Sequence, residues 1–338
     1  MIKEIGSDFW ETPTSKNDIL NWPETTAWYI SGRAALLAII NDIKKTRKNA
    51  IAALPSWCCD SIIRPFLDSG IKVVFYSVYI EKGVFCQNFD NIQDADILLL
   101  MDYFGFNRLE NINFNGIKIC DATHSVFSGR QQDADYYFGS LRKWCGFYTG
   151  GFAYSKNGHL KHGLIDEENY INLRKKAMQK KEDYINGKTD SKDYLELFSK
   201  AEELLESQNI FGASLEDVER AKHLDIGFIR KRRRENANFL IKELEDLSLF
   251  KELNDNDCPL FVPIVVEKDQ RDKLKKYLIQ KDIYCPVHWP QTNLHKLNEK
   301  TKKLYETELS VVCDQRYFLP DMERIAIQIK TFLTNGEK

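Results

Sequence analysis

From Trp22 to about Ser155 the chain alternates short apolar runs with amphipathic helical segments, and that alternation leaves few architectures open. The runs "AIAAL" (50–54), "KVVFYSV" (72–78), "DILLLM" (96–101), "IKIC" (117–120), "DYYFGS" (135–140) and "GFAYS" (151–155) read as strands. Between them the apolar period changes to that of a helix. "SGRAALLAIINDIKK" sets Leu36, Ile40 and Ile43 on one face, and "CCDSIIRPFLDSG" does the same with Ile62, Ile63, Phe66 and Leu67 before Gly70 closes it. Strands joined by helices predict an α/β layer around a parallel sheet.

The 338 residues exceed one typical domain, and a prior of roughly 150 residues per domain suggests about two. Residues from about Leu173 to Gln208 are dense in Lys and Glu at helical spacing, which reads as a solvated helix pair. "FIRKRRRENANFLIKELEDL" is basic enough to suggest nucleic acid. Its Phe228, Asn238 or Phe239, Leu240 and Leu244 instead mark a long amphipathic helix with a basic outer stretch. Strand-like "CPLFVPIVVE", helix-like "RDKLKKYLIQKD", strand-like "IYCPVHW" and a last helix near Met322 to Leu333 then suggest a small α/β domain. The expected division is an N-terminal arm (1–20), a large domain (21–225) and a small C-terminal domain (226–338).

Lys and Arg total 48 against 50 for Asp and Glu, so no strong field favours nucleic acid or an anionic membrane. The longest apolar stretch, "ILLLM", is far too short to span a bilayer. The eight cysteines form no CxxC pair. Reduced structural thiols, a cytoplasmic location and no metal site are therefore expected.

In a parallel α/β sheet, ligands bind beyond the carboxyl ends of the strands. Asp121 follows "IKIC", Arg142 and Lys143 follow "DYYFGS", and Trp57 follows "AIAALPS". A carboxylate, a lysine and an aromatic face are what pyridoxal 5'-phosphate (PLP) requires: an amine for a Schiff base, an anion to keep the pyridine nitrogen protonated, and a flat side chain against the ring. Ser31 and Gly32, just ahead of a helix, supply free N–H groups for a phosphate. Arg33 in a first helical turn opposes the macrodipole unless an anion sits there.

These pieces, in this order, resemble the DegT/DnrJ/EryC1/StrS sugar aminotransferase family of PLP enzymes. "SGRAALLAII", "LPSWCCDSIIRPFLDSGIKVVFY", "DYFGF", "CDATHS", "SLRKW...GG" and "FLPDM" carry the resemblance over most of the chain. It implies fold type I, with a large, mostly parallel sheet between helices and a smaller C-terminal α/β domain. It also implies a homodimer, a nucleotide-linked keto sugar as substrate and glutamate or glutamine as amino donor. Residue by residue, Lys143 matches the Schiff-base lysine, Asp121 the partner of the pyridine nitrogen, and Ser140 a phosphate ligand. Trp57 matches the ring-stacking aromatic, and His124 the position near the phenolic oxygen. Gly32 and Arg33 match the phosphate-binding pair. Arg33 stands where the family usually has Thr and His124 where it usually has Gln. "YTGG" lacks the Glu that often precedes the glycines. His288, Trp289, Arg316 and Tyr317 are expected on the substrate side.

Two rivals remain on sequence alone: a PLP-dependent lyase or other conversion on the same fold, and a non-catalytic or regulatory binding protein that keeps the fold without the cofactor. Lys143 argues against the family's dehydrating branch, where His replaces the lysine.

Overall fold

The computed structural model describes residues 3–16, 19–106, 108–129, 131–163, 167–205, 210–295 and 297–336. The chain begins with β1 (Ile5–Gly6), β2 (Ala27–Tyr29), α1 (Gly32–Ile43), β3 (Ile51–Pro55), α2 (Asp60–Asp68), β4 (Lys72–Glu81) and β5 (Val84–Asn88). It continues through β6 (Ile97–Met101), β7 (Ile117–Asp121), β8 (Tyr136–Ser140) and β9 (Gly151–Ser155). Four helices follow: α3 (Glu168–Ile185), α4 (Tyr194–Leu204), α5 (Leu215–Lys222) and α6 (Ile226–Glu243). The last elements are β10 (Phe261–Val265), α7 (Lys268–Ile279), β11 (Ile283–Tyr284), α8 (Glu299–Thr307), β12 (Glu308–Val312) and α9 (Leu319–Gly336).

Eight strands form the main sheet in the order β2-β9-β8-β7-β6-β3-β4-β5. From β8 to β4 all pairings are parallel, as the alternation of runs and helices predicts. β6 is buried along its whole length, which explains its unbroken apolar sequence. The run at 151–155 departs from the parallel expectation, since β9 pairs antiparallel with β8. Only the compact segment 141–150 joins them, closed by a bond from Leu141 N to Gly150 O at 2.8 Å. A parallel return needs a crossover helix, and this connection holds none.

Leu36, Ile39, Ile40 and Ile43 bury the core face of α1. Each such aliphatic side chain stabilises the fold by roughly 1.5–3 kcal/mol relative to exposure. α2 buries Ile62, Ile63 and Phe66, but Leu67 is 41% exposed, one 100° step past the buried stripe. The face of α6 also differs from expectation. Ile229, Arg233, Asn236, Ala237 and Leu240 face inward, while Phe228 is exposed. Arg233 therefore leaves the basic outer stretch. Its Nε donates to Gln315 Oε1 (2.7 Å), its Nη1 donates to the Pro259 and Leu260 carbonyls (3.1 and 3.0 Å), and its guanidinium lies 4.5 Å from the Trp144 ring centroid. Donors so fully met make burial of the charge tolerable.

The Lys/Glu-rich middle forms the packed pair α3 and α4, and residues 206–208 of that expected stretch lie outside the described residues. The pair is not wholly solvated. Arg174 is buried, and so is Lys181, which pairs with buried Glu4 of the N-terminal arm at 3.1 Å. Burial brings the Lys181 amine down to about 8.

A separate antiparallel sheet joins β10 to β12, and β11 pairs with β1. α8 ties this C-terminal part to the main sheet. Tyr305 Oη donates to the Ser56 carbonyl and accepts from Cys58 N, both at 3.0 Å, and Thr301 Oγ1 donates to Val78 O at 2.8 Å. All eight cysteines are free thiols. Among the described residues no helix is long and apolar enough to cross a membrane.

Candidate active site

Asp121 ends β7 and Ser140 ends β8, neighbouring parallel strands whose register pairs Asp121 with Phe138. After Ser140 the chain makes one 3-10 turn, Leu141–Lys143. Beyond these strand ends lies a cavity of about 770 Å³, and Gly32, Arg33, Asp121, His124, Ser140 and Lys143 all line it. Leu141 is buried beneath the turn, and Trp144 Nε1 donates to Thr123 O at 2.7 Å, which ties the Lys143 segment to the loop after Asp121. Lys143 is exposed to the cavity, and its Nζ forms no hydrogen bond or ion pair with any described residue.

Asp121 is buried, with Oδ1 accepting from Thr123 N at 2.8 Å. Burial pushes its carboxyl up to about 6, against the opposing pull of the Thr123 hydrogen bonds and Lys143. His124 is buried as well. Burial, then the charge of Lys143, holds its imidazole down at about 3, so the ring is neutral. Its Nδ1 accepts from Phe104 N at 3.3 Å, which places the ring proton on Nε2. Phe104 makes that bond from a left-handed conformation, φ 57°. A non-glycine residue there stores of order 1–3 kcal/mol of strain.

The phosphate-type corner is the start of α1. Ser31 Oγ accepts from Ala34 N (3.2 Å) and Ser31 O from Ala35 N (3.0 Å), while Gly32 N and Arg33 N have no acceptor within the helix. Gly151 makes room for this corner, because a Cβ there would lie 2.1 Å from Ser31 O. Ser140 faces the same wall. Arg33 has a partner that its sequence position does not reveal: Nη1 donates to Leu205 O at 3.2 Å, at the carboxyl end of α4, while Nε is buried with no acceptor among the described residues. In "YTGG", Thr149 Oγ1 donates to Asp217 Oδ2 at 2.7 Å.

The aromatic expectations need correction. Trp57 is fully buried, does not line the cavity, and stacks on Tyr103 with centroids 5.0 Å apart. A cluster with Phe85 and Phe104 has absorbed it. Trp289 offers a flat surface at the cavity, stacked on His124 at 5.5 Å and 20°. His288 lies behind that pair, buried, with its ring 5.5 Å from His124 and nearly perpendicular to it. Arg316 lines the cavity but its donors are committed: to both Asp314 carboxylate oxygens (2.9 and 2.8 Å) and to the Asp8 and Ser7 carbonyls (3.0 and 3.2 Å). Tyr317 does not line it; its Oη accepts from Gly6 N at 2.8 Å. These two residues hold the N-terminal arm, whose Gly6 to Phe9 close one side of the cavity.

Sequence reasoning missed the ion-pair wall in which Arg142 meets Glu202 and Arg174 meets Asp8 (3.3 Å) and Glu202 (3.5 Å). It also missed Lys275 of α7. Arg142 follows β8 and was legible there, but Arg174, Glu202, Asp8 and Lys275 stand at no end of a main-sheet strand, so the rule that found Asp121 and Lys143 does not reach them.

No protein-family model and no curated protein matches the chain. Solved structures do. PseC of Helicobacter pylori, an aminotransferase involved in the biosynthesis of pseudoaminic acid, is 14% identical, with a TM-score of 0.62 over 97% of this chain and 100% of that one. The PLP form of Spr1654 from Streptococcus pneumoniae, described as a sugar aminotransferase, is 13% identical at a TM-score of 0.62, covering 96% and 98%. A DegT DnrJ EryC1 StrS aminotransferase from Brucella abortus is 15% identical at 0.59, covering 91% and 85%. The chain therefore has the fold of these aminotransferases along nearly its whole length, the α/β architecture expected from the sequence.

Proposed function

We propose that the protein is a PLP-dependent aminotransferase of the DegT/DnrJ/EryC1/StrS family, acting on a nucleotide-linked keto sugar with glutamate or glutamine as amino donor. One observation carries the reading. An amine without a partner among the described residues, Lys143, shares a cavity with a buried carboxyl, Asp121, at the ends of adjacent parallel strands. The shared fold with sugar aminotransferases supports it. The division into an arm (1–20), a large domain (21–225) and a small domain (226–338) belongs to the same proposal.

The residues present fit the cofactor. The unmet N–H groups of Gly32 and Arg33, with Ser140 beside them, suit a phosphate. The Asp121 carboxyl suits a protonated pyridine nitrogen, and Trp289 with His124 offers a flat wall. Bound there, PLP supplies an electron sink for negative charge at the carbon bearing the amine. Lys143 Nζ, free of partners among the described residues, moves the proton at the donor Cα. His124, neutral with its proton on Nε2, donates from the cavity wall. Asp121 keeps the opposite wall anionic while charge builds up.

The working assembly in this reading is a cytoplasmic homodimer. The test of the function is spectroscopic: purified protein with PLP is incubated with a panel of amino acids, and the cofactor absorbance is followed as it passes to the amine form. A protein that retains no PLP, or whose spectrum no amino acid alters, would sink the proposal.

A further inference from the structure

Behind the cavity wall lies a set of buried groups that the proposed reaction does not use. Glu308 and Ser310 sit two residues apart on β12, so their side chains share one face. Both are fully buried. Ser310 Oγ contacts Glu308 Oε1 and lies 2.7 Å from His288 Nδ1, while the backbone N of His288 donates to Glu308 Oε2 at 2.8 Å. The Glu308 carboxyl forms no ion pair with any described residue. The other ring nitrogen of His288, Nε2, has no hydrogen-bond partner among the described residues.

A hydroxyl between a carboxyl and an imidazole has one proton to give, and the two neighbours compete for it. We propose that Glu308, Ser310 and His288 form a proton relay in which the charge state of the carboxyl dictates which nitrogen of His288 carries the ring proton. With Glu308 protonated, its O–H donates to Ser310 Oγ, Ser310 donates to Nδ1, and the ring proton is on Nε2. When a base takes that Nε2 proton, the Nε2–H bond breaks, Ser310 passes its hydrogen to Nδ1, and Glu308 passes its own to Ser310. One proton leaves, one negative charge appears on Glu308, and His288 stays neutral throughout.

The surroundings suit this exchange. Burial pushes the Glu308 carboxyl up to about 8, against the Ser310 and His288 hydrogen bonds that favour its charge. Burial, then His124 and Lys143, keeps His288 well below its ordinary value, so it does not simply charge instead. The titratable and charged groups facing the relay are Arg271 and Lys275 of α7, with Arg271 Nη1 donating to the Glu308 carbonyl at 3.0 Å, the Cys285 thiol, and, on the cavity side, Lys143 and neutral His124. Phe104, Phe261 and Trp289 also pack against the His288 ring. The use of the relay in turnover, through the His124 ring that His288 packs against, rests on the function proposed above. The relay itself is a property of the chain without ligand.

The experiment is a ¹⁵N-histidine NMR titration of the ligand-free protein from about pH 6 to about pH 10, with His288 assigned from His288→Gln. Nδ1 of His288 should move from the bare-nitrogen region to the N–H region as pH rises through about 8, and Nε2 the opposite way. Glu308→Gln should leave one tautomer across the range. Ser310→Ala should abolish the switch, and Ser310→Thr should restore it, separating a relay from mere packing. A single His288 tautomer at all pH values in the wild type, or a switch undiminished in Glu308→Gln, overturns the relay. Absorbance after dialysis against PLP is recorded on the same samples. A tautomer switch in a protein that retains no PLP supports the relay and sinks the aminotransferase reading instead.

Discussion

Ser31 and Gly151 stand so close that a side-chain carbon on Gly151 would lie 2.1 Å from the Ser31 carbonyl oxygen. β9 thus presses its first residue against the cap of α1, which fixes where the free N–H groups of Gly32 and Arg33 point. Gly151→Ala should cost about 1–3 kcal/mol by overpacking and weaken PLP retention. Gly158→Ala, with nothing within 4 Å of the added carbon, should change neither. Chemical denaturation and equilibrium dialysis check the pair, and equal behaviour of the two variants would refute the argument.

Lys143 should be the residue to which borohydride fixes the cofactor. Peptide mapping checks this, and label on another lysine would remove Lys143 from the site. Lys143→Ala should lower turnover by about 10²–10⁴-fold, the usual worth of a positioned acid–base group.

Asp121→Asn keeps an acceptor for Thr123 N but removes the negative charge. Turnover should fall about a hundredfold, roughly 2.7 kcal/mol, while cofactor retention changes far less. Steady-state rates set beside dialysis constants decide it, and unchanged turnover would count against the site.

Arg33→Ala should weaken PLP retention about tenfold or more, as for a charge-assisted hydrogen bond of about 1.5–3 kcal/mol. The contrary outcome has a structural basis: Arg33 already donates to Leu205 O at the end of α4. Equal affinities with a lowered melting temperature would assign Arg33 to that helix end alone.

Stability of the ligand-free protein should have a pH optimum. Asp121 and Glu308 have raised values, so the stability they lend is complete below the ordinary carboxylate range and is lost as pH climbs through about 6 and about 8. His124 has a depressed value, so its contribution is present above the ordinary imidazole range and is lost as pH falls toward about 3. Glu308→Gln should therefore gain on the wild type between about pH 7 and pH 9, by of order 2 kcal/mol. Urea unfolding at the two pH values measures it, and parallel curves would show that Glu308 does not ionise there.

Much of the large sheet was legible because central strands such as β3 and β6 are buried on both faces and need unbroken apolar runs, as in "ILLLM". Asp121, Ser140 and Lys143 were legible for a topological reason: strand ends border the crevice. β2, β5, α8 and β12 carry no such signature. β12 is entirely buried yet reads "ELSVV", with Glu308 and Ser310 where apolar residues are expected. Arg233 was hidden because a basic run looks solvated until the carbonyls of Pro259 and Leu260 are in place. Trp57 shows the converse. It follows a strand, as a ligand-facing aromatic would, but Tyr103 and Phe104 arrive from a distant segment and enclose it.

Among the contacts that hold the N-terminal arm over the cavity, Arg316 and Tyr317 grip Ser7, Asp8 and Gly6. Gly6, Ser7 and Asp8 are thus held by residues that lie 308 to 311 positions further along the chain. During synthesis, at about 5–20 residues per second, the large sheet can assemble long before those anchors leave the ribosome. A nascent chain of this protein carries the strand ends but not the finished chamber, which closes only once Arg316 and Tyr317 have emerged.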